Sequence, residues 1–286
     1  MIKIGILIPR SIRRDINRAV AIAERADQLG FESLWLSDRL IMPANLEDRL
    51  DAVHAKAESQ VFITDPAYDA LAYLCFLAGR TRRIRLGVGV WQMALRHPFI
   101  TARAIQTLDL LSEGRSEIGL GAGWLSSEYE AVGVEFASRG RRLDETITIC
   151  QRLWSEPVVK HSGEFYEFDS VIFDPKPKQQ PWPRLHAGGE SRAALRRASR
   201  LDGWFGRTHT PDSVVPFVRA LADLRRESGL SNGQFDITVR IDAASLGDVT
   251  LWERAGVTRV CLAAWEPSDD PLGGLERIAQ RYGLDS

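Results

Sequence analysis

Apolar positions along this chain switch between two periods, and the switch repeats. Asp15 to Leu29 places Ile16, Ala19, Val20, Ala23 and Ala26 at helical spacing. Gly30 follows, and Ser33-Leu34-Trp35-Leu36 then reads as a short buried strand. The same order returns at Tyr68 to Leu77, Gly79 and Ile84 to Val90. It returns again at Ile100 to Ser112, with Ala104, Ile105, Leu108 and Leu111 on one face, then Gly114 and Ser116 to Leu120. Two further copies are Phe217 to Ser228 with Gly229 and Phe235 to Ile241, and Val249 to Ala255 with Gly256 and Arg259 to Leu262. Glycine just past a helix supplies the left-handed turn that sends the chain back. With Ile2 to Ile8, Arg184 to Ala187 and Gly203 to Gly206, the pattern contains eight strands separated by helices. Right-handed crossovers then make each strand parallel to the last. Eight such units in 286 residues predict one (β/α)₈ barrel over 1–286, with a doubly wound open sheet as the alternative.

Two stretches exceed a plain barrel. The first, about 39–64, follows the second strand on the side where barrels keep their chemistry, and reads equally as a lid or as packing for a dimer contact. The second, about 155–183, contains Gly163 to Phe168, which alternates like a hairpin strand. Pro175, Pro177, Pro181 and Pro183 then enforce an extended path.

Composition narrows the function classes. Lys plus Arg is 37 and Asp plus Glu is 38, a formal net charge of −1, which argues against a basic nucleic-acid surface. Cys75, Cys150 and Cys261 lie far apart, so neither a disulfide framework nor a cysteine-rich zinc site organises the fold, and a cytoplasmic setting is expected. No window approaches the roughly 18 apolar residues of a membrane helix. The five His lack metal-ligand spacing, so no metal is expected. Neither a nucleophile elbow nor a phosphate-binding Walker loop is present. Gly119-Leu120-Gly121-Ala122-Gly123 has no third glycine at the right distance for a dinucleotide fingerprint, and no acidic partner follows on a next strand.

The residues with chemical potential fall at strand C-terminal ends, which in a barrel share one rim. They are Ser37-Asp38-Arg39, Gly89-Val90-Trp91, Gly121-Ala122-Gly123-Trp124, Ala187-Gly188-Gly189-Glu190-Ser191 and Gly203-Trp204. Glycines there admit a flat or anionic ligand close to the backbone. Gly188 and Gly189 before a helix opening at Ser191 read as a phosphate cradle, or as a tight turn with an N-cap. Trp91 and Trp124 read as walls for a planar ring, or as core aromatics. His97 before Pro98 reads as a helix start, and Glu128 and Glu130 as solvated. Asp38 also reads as a salt bridge to Arg39 or as a helix cap.

In order and spacing, several motifs together resemble the luciferase-like flavin and deazaflavin oxidoreductase superfamily over nearly the whole chain. They are Ser33 to Asp38, Arg96-His97-Pro98, Thr107 to Arg115, Gly119 to Trp124, Gly140 to Glu145, and Pro175-Lys176-Pro177 through Gly188-Gly189. The resemblance implies a (β/α)₈ barrel that binds FMN or coenzyme F420 at the rim, and is closest to the F420-dependent oxidoreductase branch. It implies that Gly89 and Val90 match a cis-peptide bulge backing the ring, that Asp38 lies beside it, and that Ala187, Gly188 and Gly189 hold the phosphate; Gly123, Trp124 and Ser191 at the same strand ends complete the expected cofactor contacts. The branch's sugar-phosphate dehydrogenases carry a His where Arg39 stands and a Glu where Trp124 stands, so their proton-handling pair is not inherited. Asp38, Arg39 and Trp124 are the catalytic candidates, with no acid or base named. The expectation is hydride transfer between coenzyme F420 and a small organic substrate. The alternatives are an FMN-dependent monooxygenase served by a reductase partner, a non-catalytic flavin-binding barrel, and a phosphate-binding isomerase. The resemblance also implies a homodimer.

Overall fold

The computed structural model describes residues 2–44, 68–230, 233–264 and 270–284. Residues 45–64 of the first insertion, where the lid or dimer contact was expected, lie outside the described residues.

All eight expected strands form, and they close into one parallel barrel. They are β1 (Lys3–Leu7), β2 (Ser33–Leu36), β3 (Arg85–Trp91), β4 (Ser116–Leu120), β7 (Arg184–Gly188), β8 (Gly203–Thr208), β9 (Asp236–Asp242) and β10 (Arg259–Ala264). Around the barrel the order is β1-β10-β9-β8-β7-β4-β3-β2, which excludes the open sheet. The described helices are α1 (Ile16–Gln28), α2 (Ala70–Ala78), α3 (Pro98–Leu111), α4 (Ser126–Ala131), α5 (Arg139–Ser155), α6 (Arg192–Ala198), α7 (Pro211–Glu227), α8 (Val249–Arg254) and α9 (Pro271–Tyr282). None of these is long and apolar enough to cross a membrane.

Helix starts follow local chemistry. Asp15 caps α1 by accepting the Arg18 N–H, and His97 caps α3 ahead of Pro98, as its position suggested. The glycine after α1 needs its special backbone: Gly30 has φ +80°, and a Cβ there would strike the Leu284 carbonyl. Gly79 after α2 is an exception to the pattern, with an ordinary φ of −70°.

In the second insertion, β5 (Val159–Ser162) and β6 (Glu167–Val171) pair antiparallel. The alternating run beginning at Gly163 is therefore mostly the connection, not the strand. Glu145 on α5 explains this, because its carboxylate accepts the N–H groups of Phe165 and Tyr166 and holds the turn down. The peptide bonds before Pro175 and Pro181 are cis.

Side chains inside the barrel stack in layers, as the period of two requires. The lowest layer is ionic. Glu117 on β4 is buried among His186, Arg85 and Arg259, and Asp236 on β9 among Arg184, Lys3 and Arg259. The layer above is apolar: Leu7, Trp35, Phe205 and Cys261, with Val90 packed on it. Gly87 leaves the space that the Trp35 ring fills. This apolar layer is the floor of the rim cavity.

Candidate functional site

A cavity of about 450 Å³ opens above that floor at the C-terminal rim. Its size suits a small-molecule site. Of the residues singled out from sequence, Asp38, Arg39, Gly89, Val90, Gly123, Trp124, Gly188 and Gly189 line it. Ala187 is buried behind the wall. Ser191 is exposed and caps α6 by accepting the Ala194 N–H. Trp91 is also core, buried with the Arg96 guanidinium 4.5 Å above its ring, so only one of the two rim tryptophans is a wall.

Val90 shapes one side of the cavity. The Gly89–Val90 peptide is cis, and the pairing of β3 with β4 shifts between Val88 and Trp91. The Val90 side chain sits in a socket of glycines. A Cβ on Gly188 would lie 2.7 Å from its Cγ1, one on Gly121 2.8 Å from its Cγ2, and one on Gly119 3.3 Å from its Cγ1. Gly121 and Gly188, which suggested close approach of a ligand, are thus required first by a protein side chain, and Gly119 first by the Val88 carbonyl. Gly189 differs: its φ is +102°, and its carbonyl accepts from Trp204 Nε1 at 2.8 Å.

Asp38 is held from the protein side. Arg96 clamps it with two hydrogen bonds, of 2.9 and 3.0 Å, and the Gln92 backbone N–H donates a third at 3.1 Å. Its partner is therefore Arg96, and not the neighbouring Arg39. Burial pushes the Asp38 carboxyl above its ordinary range, against the pull of Arg96. Arg39 Nη1 instead donates to Glu128 at 2.8 Å, with its guanidinium 5.1 Å from the centre of the Trp124 ring. Glu128 was expected to be solvated. It is fully buried because α4 folds it under β2's end, where it also accepts the Leu40 N–H.

Sequence reasoning missed several lining residues. Gln92 is 4% exposed, lines the cavity, and its Oε1 has no hydrogen-bond partner. Glu190 and His209 face each other at 3.0 Å, and that hydrogen bond holds the Glu190 carboxyl below its ordinary range. Arg10, Arg207 and Arg240 complete the rim. A signal for Arg240 existed, because it stands two and four residues after the inward-facing Thr238 and Asp236 on one strand. No local signal marks Gln92. Burial pushes the Cys261 thiol up to about 12, so it serves as floor and not as a nucleophile.

The ionic layer beneath was also missed. Burial raises the Glu117 carboxyl, but His186, Arg259 and Arg85 pull harder and hold it well below the ordinary range. Glu117, His186 and Asp236 offer atoms within 4.8 Å of one another, as metal ligands would. The Arg259 guanidinium already lies 3.5 Å from both carboxylates, so the cation of this cluster is an arginine.

Comparison with known proteins places this geometry. The family described as luciferase-like monooxygenase matches residues 2–257. The uncharacterized protein Rv0940c of Mycobacterium tuberculosis is 29% identical over 90% of this chain and 90% of its own length. The F420-dependent glucose-6-phosphate dehydrogenase of Amycolatopsis mediterranei is 33% identical over 71% of this chain and 59% of its own. The FMNH(2)-dependent dimethylsulfone monooxygenase of Pseudomonas putida is 30% identical over 59% of this chain and 47% of its own. Among solved structures, an F420-dependent secondary alcohol dehydrogenase in complex with an F420-acetone adduct superposes with a TM-score of 0.81. It is 15% identical and covers 100% of this chain and 99% of that one, which is a likeness of fold.

Proposed function

Since the chain belongs to the luciferase-like monooxygenase family, we propose that it is an oxidoreductase that binds coenzyme F420 in the rim cavity and exchanges a hydride with a small organic substrate. The observation that carries this reading is the cavity itself, about 450 Å³ at the strand C-terminal rim, lined by Val90 and Trp124 together with Gly89, Gly123, Gly188 and Gly189. A flat apolar ring suits such walls, and glycine backbone admits an anionic group close by. The protein groups present therefore fit a deazaflavin or flavin.

When bound, the deazaflavin supplies a two-electron hydride carrier. The chain's own residues do the rest. Val90 would back the ring, and the Asp38–Arg96 clamp fixes the backbone of Gln92 at the cavity wall before a ligand arrives. Gly188 and Gly189 would seat the phosphate. Leu7, Phe205 and Cys261 keep water from below the reacting atoms. Arg39 and Trp124 stand where the sugar-phosphate dehydrogenases keep their proton-handling His and Glu. Both are engaged with Glu128 or with each other, so the substrate chemistry differs from theirs.

The test is a titration of the purified protein with oxidised coenzyme F420 and with FMN, read by fluorescence. Binding of F420 at least about tenfold tighter than FMN is expected. The reverse order supports an FMN-dependent monooxygenase fed by a reductase, a reading favoured by the likeness to the dimethylsulfone enzyme. Binding of neither overturns the proposal. Gln92→Leu is expected to leave the melting temperature of the cofactor-free protein unchanged or to raise it, because an unsatisfied buried polar atom is removed; a lowered melting temperature in a thermal scan would contradict this.

A further inference from the structure

Two adjacent residues on α4 reach back to the rim. The Tyr129 hydroxyl donates to the Ala122 carbonyl, which ties down the loop that carries Gly123 and Trp124. Glu128 reaches the end of β2, where its carboxylate accepts from Arg39 Nη1 and from the Leu40 N–H, both at 2.8 Å. In the barrel, β3 stands between β2 and β4. The Arg39–Glu128 pair therefore joins the ends of two strands that are not neighbours, with the strand that carries Val90 between them. The pair is largely out of water: the Arg39 side chain is 11% exposed and the Glu128 side chain 0%. A buried pair of this kind gains little stability over apolar side chains of similar volume. What it does fix is the place of Arg39, and the Arg39 guanidinium lies over the Trp124 ring. Both Arg39 and Trp124 line the cavity.

We propose that Glu128 is a positioning residue that, through Arg39, holds the Trp124 indole as a fixed wall of the cavity, and that this wall seats a flat, uncharged, conjugated or aromatic substrate. The choice of substrate over cofactor rests on the redox reading above, which gives Val90 to the cofactor ring; the fixed indole does not rest on it. This corner of the cavity calls for no charge on its ligand, because Arg39 is answered by Glu128 and Asp38 by Arg96. An indole favours another flat π-system over a puckered ring of the same size. Without the Glu128 charge, Arg39 loses the carboxylate that keeps it over the ring, and its guanidinium turns to water.

Fluorine NMR of protein labelled with 5-fluorotryptophan reads the wall directly, with the Trp124 resonance assigned by its loss in Trp124→Phe. Glu128→Gln is expected to shift and broaden that resonance and to leave the other tryptophan resonances in place, and Glu128→Asp to restore part of the sharp line. Should Glu128→Gln not fold, Arg39→Lys serves, since it keeps the ion pair but loses the planar contact with the indole, and the same broadening is expected. A Trp124 resonance that does not move in the folded variant overturns the positioning role. Two ketones of similar size then test the substrate class: acetophenone, which is flat, and cyclohexyl methyl ketone, which is puckered. Each is titrated by calorimetry into protein carrying whichever cofactor it binds, or into the protein alone if it binds neither. Acetophenone is expected to bind the wild type about fivefold more tightly. The variant that moves the Trp124 resonance is expected to lose this preference, with cofactor affinity unchanged within about twofold. Equal affinity for the two ketones in the wild type, or binding of neither, overturns the substrate class. A fall in cofactor affinity in that variant assigns the wall to the cofactor and overturns it as well. A preference for acetophenone that depends on Glu128 in a protein that binds neither cofactor supports the wall while the redox reading fails.

Discussion

Replacing Glu117 by Gln is expected to cost about 3–5 kcal/mol of folding stability, the range for removing one partner of a buried ionic cluster. The carboxylate is 1% exposed and is the shared acceptor of His186, Arg85 and Arg259 at the bottom of the barrel. Gln keeps its volume and removes its charge. Arg259, itself fully buried, then retains Glu32 and Asp236 as its ionic partners among the described residues. The loss is read as a shift of the urea midpoint at neutral pH. A midpoint unchanged within error would show that the layer is merely filled space. The pH dependence gives an independent check. The folded-state pKa of Glu117 is depressed, so the folded protein binds fewer protons than the unfolded chain as pH falls through the ordinary carboxylate range. Its contribution is fully present above the unfolded value of about 4.3 and is lost progressively on acidification. The wild type should therefore lose melting temperature more steeply than Glu117→Gln between about pH 5 and about pH 3.

Gly188→Ala is expected to weaken cofactor binding about thirtyfold, roughly 2 kcal/mol, within the range for one surplus methyl group in a packed site. The backbone permits alanine there, because Gly188 does not have a positive φ. The obstacle is the Cβ, which would lie 2.7 Å from Val90 Cγ1. Val90 must then leave its socket and move into the cavity where the ring is expected. Trimming Val90 makes room for the new methyl group. The double variant Val90→Ala with Gly188→Ala should therefore bind better than Gly188→Ala alone, a coupling that independent sites would not show. Calorimetric titration of the wild type, both single variants and the double variant measures it. Simple additivity of the two substitutions would mean that Val90 does not set the ring's position.

How far the site was legible depends on the kind of signal each residue left. Gly89, Val90, Gly123, Trp124, Gly188 and Gly189 follow strand ends, and strand ends are read from local periodicity. All six line the cavity. Ala187 and Ser191 follow the same strand end and do not, because one faces the protein interior and the other turns outward to cap α6. Arg96 was visible in the motif Arg96-His97-Pro98, yet its clamp on Asp38 spans 58 residues of chain. Glu117, Asp236 and Arg259 lie on three strands, and nothing in their local sequences pairs them.

From the amino acids alone came the eight alternating units, the closed barrel they imply and the rim on which chemistry gathers. Periodicity and turn preference act over a few residues, so they are written locally. The tertiary structure alone decided which charges neutralise one another: Asp38 with Arg96, Arg39 with Glu128, Glu190 with His209. It also decided that Gln92 and Arg240, distant in sequence from the other lining residues, come to the cavity wall. Pairing of charges is a property of distance in space, and closing the barrel sets those distances between strands far apart in the chain.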